Sequence, residues 1–272
     1  VAVGPVLVGL AVALSLDVFE PLAALACLAV ALLLQIASNV ANDLSDFRSG
    51  VDDEERLGPP RATAQGWFRI DQVKRAAHFS FSLAFLVGIY LVWVGGLPIL
   101  VIGLFSLLAG YAYTSGPKPI AYSAMGELFV FIFFGLTAVA GSYYLQGAPL
   151  SPAVALSGCA IGALASAVLL VNNYRDLETD EKAGKLTLVH YLGRNRSRRL
   201  YTLFLLSPFV LPLALVDFGP GPWLVLAALP FALLLRYRFN NIAPGAGCNR
   251  ILNHTARLQL IYGLLLVCGL IL

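Results

Sequence analysis

The sequence predicts an all-α fold, a polytopic membrane bundle of nine transmembrane helices, and three observations support this prediction. Hydrophobic residues make up 59% of the 272 residues and charged residues only 12%, whereas about a quarter of the residues in a soluble domain are charged. Apolar segments of near-membrane length recur along the whole chain. All 18 lysines and arginines lie in alternate connections between these segments, which indicates that these connections share one side of a membrane.

Hydropathy divides the chain into nine apolar segments, which we interpret as membrane-spanning helices. They cover residues 1–16, 21–41, 76–95, 98–113, 124–145, 152–171, 200–216, 223–235 and 256–272. The chain starts with Val1 inside an apolar run, and its one methionine is Met125. We therefore expect that an N-terminal stretch of the protein precedes Val1.

The basic residues predict the orientation of the bundle. They lie in the connections 42–75, 114–123, 172–199 and 236–257, whereas the connections at 17–21, 95–98, 146–152 and 217–222 contain no lysine or arginine. Short loops that are rich in lysine and arginine stay on the cytoplasmic side of a membrane. We therefore expect the first group of loops and the N-terminus to be cytoplasmic, and Leu272 to lie on the opposite side.

A first polar cluster lies at the end of the second apolar segment. Asn39, Asn42, Asp43 and Asp46 are spaced i, i+3, i+4 and i+7, so on a helix they share one face. Such side chains are costly next to lipid and usually mark a site that is lined by water, ions or a ligand.

A second polar cluster ends the sixth segment. It consists of Asn172, Asn173, Asp176 and Asp180, which again share one helical face. Two faces of carboxylates and amides on separate helices can converge on one cation, since carboxylate and carbonyl oxygens are the ligands of hard cations.

Four basic side chains on the same predicted side of the membrane are candidates for binding phosphate. Arg56 and Arg61 lie in the long 42–75 loop, and a guanidinium matches phosphate oxygens with paired donors. Lys118 stands between two prolines, and Lys185 follows the second cluster. The alternatives are ordinary positive-inside charges for the arginines and a snorkelling interface residue for Lys118.

The fifth apolar segment contains an acid and several aromatic residues. Glu127 lies near its start, where an acid is expected either to be buried with a cationic partner or to face a cavity. Phe129, Phe131, Phe133 and Phe134 follow it. Aromatic faces can stabilise a cation, but aromatic residues are also common in helical bundles and at membrane interfaces, and we expect this second arrangement here.

These groups together predict a ligand with an anionic head and an apolar tail. Mg²⁺ prefers a few carboxylates together with substrate phosphates and waters, and the neighbouring cations suit the phosphates. An apolar bundle below such a site can hold a long hydrocarbon chain, so the pattern favours a lipid diphosphate whose departure is assisted by metal. Acids alone would suit an ion-coupled transporter, but a transporter favours acids near the middle of its spans.

Several motifs resemble the UbiA superfamily of intramembrane aromatic prenyltransferases. They are Asn42-Asp43-x-x-Asp46 with Asp52, Gly58-Pro59-Pro60-Arg61, Tyr113-Thr114-Ser115-Gly116-Pro117, and Asn172-Asn173-Tyr174-Arg175-Asp176-x-x-x-Asp180 with Gly184-Lys185-x-Thr187-Leu188. They are most similar to the menaquinone branch, whose members act on 1,4-dihydroxy-2-naphthoate. Gly50 stands where other branches have an acid, and Asp52 two residues later fits the naphthoate branch better than the hydroxybenzoate or haem-farnesylating branches.

The resemblance implies a single domain over residues 1–272 with a Mg²⁺ ion on the diphosphate. The implied metal ligands are Asn42, Asp46, Asn173, Asp176 and Asp180. The implied catalytic residues are Asp43, Asp46, Asp52, Asp176 and Asp180. The implied substrate-binding residues are Asn39, Arg56, Arg61, Tyr113, Lys118, Asn172 and Lys185.

The implied reaction transfers a polyprenyl or phytyl group from its diphosphate to the naphthoate, with loss of diphosphate and CO₂. The expected partners are the prenyl diphosphate, the aromatic acceptor and the lipid bilayer, and no nucleic acid. Asp52 or Asp53 is a candidate general base. The alternatives are a related enzyme acting on homogentisate, a chlorophyllide or a naphthoquinone, a non-catalytic prenyl-lipid binding protein, and the ion-coupled transporter.

Overall fold

The computed structural model describes residues 1–48, 58, 62–63, 65–114, 119–148 and 151–272. Every regular secondary-structure element within these ranges is a helix, which confirms the predicted all-α class. Asp52, Arg56, Arg61 and Lys118, which were predicted for the site, lie outside the described residues, as does the side chain of Asp46.

Ten α-helices follow one another along the described part of the chain. They are α1 (Val3–Leu14), α2 (Pro21–Arg48), α3 (Ile70–Thr114), α4 (Gly126–Phe131), α5 (Ala138–Tyr144), α6 (Pro152–Arg175), α7 (Leu177–Lys182), α8 (Leu188–Leu206), α9 (Leu229–Asn241) and α10 (Cys248–Ile271). A π-helical segment, Ile132–Thr137, joins α4 to α5, and we call residues 126–144 the α4–α5 rod. Two 3₁₀ segments, Ser207–Ala214 and Gly221–Ala228, follow α8 and precede α9.

The two helices that carry the polar clusters continue beyond their apolar segments. α2 begins with Pro21, a residue that suits the first helical position because its φ is fixed and its nitrogen needs no partner there. It ends at Arg48, well past the predicted end of the apolar segment. α6 starts after Ser151, whose side chain caps the helix, and ends at Arg175. Asn172 and Asn173 lie on the last turn of α6, but Asp176 is its C-cap and Asp180 lies on α7. The prediction that the second cluster shares one helical face is therefore wrong beyond Asn173, because the backbone leaves the helical conformation at Asp176.

The third and fourth predicted segments form a helical hairpin. α3 covers both, but its backbone leaves the helical conformation at Gly96, where φ is 66° and ψ is −152°. A Cβ atom on Gly110 would lie 3.6 Å from Cε1 of Phe81, although an uninterrupted helix would separate these positions by about 44 Å. The two halves of α3 therefore lie side by side, and the predicted turn at 95–98 lies between them.

Six helical stretches in the described residues are long and apolar enough to cross a membrane. They are Pro21–Ser45, Ile70–Tyr113, Gly126–Tyr144, Pro152–Arg175, Gly221–Asn241 and Cys248–Ile271. The number differs from the nine predicted segments because the α3 hairpin counts once and α1 has only 12 residues. In addition, the second half of the predicted 200–216 segment is a 3₁₀ helix that contains two prolines, and proline cannot donate the hydrogen bond of an α-helix.

α6 is the central helix of the bundle, and 72% of its most apolar stretch is buried inside the protein. It packs against α1, α8, α10 and the α4–α5 rod, whereas α2 and α3 pack mainly against each other. A Cβ atom on Gly135 would lie 2.5 Å from Cα of Gly162, so the rod and α6 are in backbone contact, as small residues allow between membrane helices. This contact brings the start of α4 next to the polar end of α6.

Candidate active site

A cavity of about 650 Å³ lies between α2, α3, α6 and the α4–α5 rod. Polar side chains line it at the C-terminal ends of α2, α3 and α6 and in the loop after α7: Asn39, Asn42, Tyr113, Asn172, Asn173 and Lys185. Most of the remaining lining is apolar or aromatic, with residues such as Leu91, Phe129 and Phe133, and a few further polar side chains are scattered among them: Gln35, Ser38, Ser106, Thr137 and Ser142. A cavity with one polar end and an apolar interior fits a ligand with a charged head and a hydrocarbon tail.

The predicted substrate-binding residues that the structure describes all line this cavity. Asn39 and Tyr113 come from helices that are far apart in the sequence from Asn172 and Lys185. The aromatic residues Phe129 and Phe133 also line the cavity, with stacked rings whose centroids are 5.8 Å apart. Phe134 lines the cavity as well, so the expectation that this aromatic group belongs to the core or to an interface belt is wrong for these three residues. The spacing of four residues between Phe129 and Phe133 places both rings on the cavity side of the rod.

Asp176 is bound by the arginine that precedes it. Arg175 donates from Nε to Oδ1 of Asp176 at 2.6 Å and from Nη2 to Oδ2 at 2.5 Å. The same guanidinium donates to the side-chain oxygens of Asn172, at 2.9 Å, and Asn249, at 2.6 Å. Because Arg175 is buried, its hydrogen bond to Asn249 connects the end of α6 to the start of α10 inside the protein. No role for Arg175 was predicted from the sequence.

Asp180 is paired with Lys185 across a tight turn. The amide of Gly184 donates to the carbonyl of Glu181 at 3.0 Å, and that of Lys185 to the carbonyl of Asp180 at 2.8 Å, the pattern of a Schellman motif. Gly184 has a φ of 73°, which glycine adopts without strain. The turn places Lys185 Nζ 3.2 Å from Oδ1 of Asp180 and at the polar end of the cavity.

Asn173 contacts a buried acid of the α4–α5 rod. Its Nδ2 donates to Oε1 of Glu127 at 2.9 Å, and both side chains are buried. Glu127 is therefore buried, as one of the two expectations for this residue required, but its hydrogen-bond partner among the described residues is the neutral amide of Asn173.

The first polar cluster is divided between two environments. Asn39 and Asn42 line the cavity, whereas Asp43 is buried against residues 62–63 and accepts from the amide of Thr63 at 3.4 Å. Oδ1 of Asp43 is buried without a hydrogen-bond partner among the described residues. The predicted common face therefore holds for the two asparagines, while Asp43 is at its edge, since one residue turns the helix by about 100°.

The oxygen donors around the polar end suit a hard divalent cation. Amide and carboxylate oxygens are the ligands that Mg²⁺ takes, and a cation would offset the cost of burying the unpartnered carboxylate oxygen of Asp43. No three His, Cys, Asp or Glu side chains of the described ranges are grouped closely enough to hold an ion. The side chain of Asp46 is outside those ranges, so only part of the predicted ligand set is described.

A second ion pair fixes the short helix α7 to α8. Arg194 follows Gly193, where a φ of 67° interrupts α8. Its guanidinium pairs with Glu178, lies 4.6 Å from the ring centroid of Tyr174 and donates to the Tyr174 carbonyl at 2.8 Å. Burial raises the pKa of the Glu178 carboxyl, but the hydrogen bond and charge of Arg194 outweigh burial and hold this pKa below its ordinary value.

The fold and the site define a class of protein: a helical membrane protein with a cavity for an amphiphile that has an anionic head. Residues 2–260 match the UbiA prenyltransferase family, and the chain belongs to this family. The resemblance of the two polar motifs to the family is thereby confirmed.

Two curated relatives come from bacteria. The chain is 37% identical to the 1,4-dihydroxy-2-naphthoate octaprenyltransferase of Escherichia coli K12 in a match that covers 100% of this chain and 91% of that protein. It is 38% identical to the enzyme of the same name from Mycobacterium tuberculosis, covering 85% of this chain and 79% of the relative.

Two solved structures share the fold. A UbiA homologue from Aeropyrum pernix K1 has a TM-score of 0.70 at 13% identity, covering 98% of this chain and 96% of the other. A UbiA homologue from Archaeoglobus fulgidus, bound to GPP and Mg²⁺, has a TM-score of 0.67 at 17% identity, covering 99% of this chain and 96% of the other.

Proposed function

We propose that this protein transfers a polyprenyl group from its diphosphate to 1,4-dihydroxy-2-naphthoate, with release of diphosphate and CO₂, in menaquinone biosynthesis. The observation that carries the proposal is the cavity, whose polar end is formed by residues of both predicted motifs and whose remainder is mostly apolar. The similarity to naphthoate octaprenyltransferases along the whole chain supports this choice of acceptor.

The polar end of the cavity is the proposed site of the diphosphate. Lys185 binds a phosphate oxygen, and Asn39, Asn172 and Tyr113 donate hydrogen bonds to the head group. Arg56, Arg61 and Lys118 are proposed as further phosphate contacts. Donors that are in place before the reaction stabilise the charge that develops on the leaving diphosphate.

Mg²⁺ is the proposed cofactor, held by Asn42, Asp46, Asn173, Asp176 and Asp180 with support from Asp43. When bound, the ion supplies Lewis-acid stabilisation of the leaving diphosphate. The ion would also offset the cost of the Asp43 carboxylate oxygen that is buried without a hydrogen-bond partner among the described residues. Mg²⁺ in the structure of the A. fulgidus homologue supports this choice.

The apolar part of the cavity is the proposed site of the prenyl chain. Phe129 and Phe133 exclude water from the allylic carbons and present aromatic faces that stabilise a developing cation. The electron-rich ring attacks the first carbon of the prenyl group, and the bond between that carbon and the diphosphate oxygen breaks. The ring carboxylate leaves as CO₂, and its bonding electrons restore the aromatic ring. Asp52 or Asp53 is the candidate base that withdraws a hydroxyl proton during the attack and returns it to that oxygen as CO₂ leaves.

We further propose nine crossings of the membrane, with the N-terminus and the site loops in the cytoplasm and Leu272 outside. α1, the two halves of α3, and α8 with its 3₁₀ extension account for the crossings beyond the long helices. Of the 18 basic residues, none lies in the opposite loops.

The function is tested by offering the purified protein several prenyl diphosphates with a set of aromatic acceptors and analysing the products by mass. We expect prenylated naphthalenediol from the naphthoate and no product from 4-hydroxybenzoate. Turnover of homogentisate, a chlorophyllide or a naphthoquinone in place of the naphthoate would assign the chain to a different acceptor.

A further inference from the structure

Glu127 is a buried acid with a role that neither motif explains. It lies in the first turn of α4, is 2% exposed, and does not line the cavity. Its Oε1 accepts the hydrogen bond from Asn173, while its Oε2 is buried without a hydrogen-bond partner among the described residues. Burying a carboxyl group without full hydrogen bonding costs folding free energy. The position of Glu127 beside the second motif therefore suggests a function there.

The chemistry of this hydrogen bond fixes the orientation of the Asn173 amide. Nδ2 of Asn173 donates to Oε1 of Glu127 at 2.9 Å, and a carboxyl oxygen that carries no proton can only accept, so the NH₂ group of Asn173 faces Glu127. The carbonyl oxygen, Oδ1, is on the other branch of the amide and is left for the cavity, which Asn173 lines. Without Glu127, the amide could turn over and present its NH₂ group to the cavity, where it would repel a cation.

The packing of the α4–α5 rod on α6 holds Glu127 in place. Ser166 of α6 donates to the backbone carbonyl of Glu127 at 2.8 Å, and the contact of Gly135 with Gly162 keeps the two helices together further along. Glu127 thus has a fixed position from which it can direct the side chain of Asn173.

We propose that Glu127 is a positioning residue that turns the carbonyl oxygen of Asn173 toward the polar end of the cavity and thereby tightens the binding of a divalent cation there. The inference rests on the proposed function in one respect: the cation is the one that accompanies the diphosphate. Partners that orient metal ligands in this way typically contribute about 10- to 100-fold to metal affinity.

The test is binding of Mn²⁺, followed by electron paramagnetic resonance, to the purified protein in the presence of inorganic pyrophosphate. Glu127→Gln can face the amide of Asn173 in either orientation, so we expect it to weaken Mn²⁺ binding by about 10- to 100-fold. The matched control is Glu20→Gln, an exposed acid before α2, which should bind Mn²⁺ as the wild type does.

A double variant separates positioning from packing. When Glu127→Gln is combined with Asn173→Asp, the amide introduced by the first substitution donates to the carboxylate introduced by the second. The second oxygen of that carboxylate faces the cavity, and the total charge is unchanged. We expect the Mn²⁺ affinity to return to within about threefold of wild type, well inside the 10- to 100-fold loss of the single variant. If the single variant does not fold, the double variant tests the proposal by itself. Mn²⁺ affinity within about threefold of wild type then supports the proposal, and Mn²⁺ affinity about tenfold weaker than wild type overturns it.

The outcomes distinguish this inference from the proposed function. Wild-type Mn²⁺ binding in Glu127→Gln, or no Mn²⁺ binding by the wild type with pyrophosphate, overturns the inference. Loss of turnover with unchanged Mn²⁺ binding also overturns it, since Glu127 would then act in the chemical step. The assay contains neither prenyl group nor acceptor. Weaker Mn²⁺ binding by Glu127→Gln therefore supports the inference even where the naphthoate is not a substrate.

Discussion

Arg175 holds Asp176 through two parallel hydrogen bonds, at 2.6 and 2.5 Å, inside a protein region where the arginine is only 2% exposed. The two residues are adjacent in the sequence, yet their pairing also involves Asn249 of α10. The second acidic motif is therefore supported by a contact between distant parts of the chain.

Replacing this arginine should destabilise the protein. We expect Arg175→Met to lower the free energy of unfolding by about 3 kcal/mol, because it leaves the Asp176 charge without its buried partner. Arg175→Lys should have a smaller effect, since it keeps the charge but loses the paired donors. The measurement is thermal unfolding in detergent, with the exposed Arg236→Met as control. An unchanged melting temperature in Arg175→Met would contradict this interpretation of the ion pair.

Turnover should depend on a divalent cation and on both motifs. Chelation should abolish product formation and Mg²⁺ should restore it, because the ion stabilises the charge on the leaving diphosphate. Asp46→Asn and Asp180→Asn should each lose most of the activity. Both variants should stay folded, as judged by a wild-type elution profile in size-exclusion chromatography. Asp217→Asn, an exposed acid in a connection without basic residues, is the control. Near-normal turnover in both motif variants would exclude the two-motif site.

The size of the cavity should limit the prenyl chain. Gly141 is buried and lines the cavity, and a Cβ atom there would meet no atom within 4 Å. Gly141→Leu should therefore extend into the cavity, raise KM for long prenyl diphosphates and leave KM for short ones near wild type. Ala155→Leu, at an exposed position of α6 away from the cavity, is the control. Equal effects on all chain lengths would place the prenyl chain elsewhere.

The orientation of the bundle can be tested by labelling single cysteines in a cysteine-free background. Cysteine at Asn195 should react only from the cytoplasmic side, and cysteine at Phe19 or Asp217 only from the opposite side, because the basic loops stay in the cytoplasm. All three positions are exposed. Labelling of all three from one side would refute the nine-span topology.

Periodicity and hydropathy predicted much of the fold. The all-α class follows from the apolar segments, and the hairpin in α3 follows from the turn at 95–98, which contains Gly96 and no basic residue. The sequence did not predict the 3₁₀ helix at Ser207–Ala214, because its apolar composition is the same as that of a spanning helix. α2 continues past the end of its apolar segment at residue 41, as the helical spacing of Asn39 to Asp46 predicted, since hydropathy marks where lipid contact ends and not where helical hydrogen bonding stops.

The candidate site was also predicted only in part, because helical spacing does not show which helices pack together. The spacing of Asn39 and Asn42 predicted that they share a face, and both line the cavity. The roles of Glu127 and Arg175 depend on Asn173 and Asn249, which lie far away in the sequence from their respective partners. Helical spacing relates only neighbouring turns, so such pairs become visible only when α4 and α10 are packed against α6.

The central claim is that the acceptor is 1,4-dihydroxy-2-naphthoate, and the fate of its carboxyl carbon tests this most directly. The naphthoate, labelled in the carboxyl group, is incubated with a prenyl diphosphate, Mg²⁺ and the purified protein, with Asp180→Asn as the inactive control. We predict one labelled CO₂ for each prenylated product, because the prenyl group replaces the carboxylate on the ring. A prenylated product that retains the label, or turnover of 4-hydroxybenzoate or homogentisate without turnover of the naphthoate, would contradict the claim.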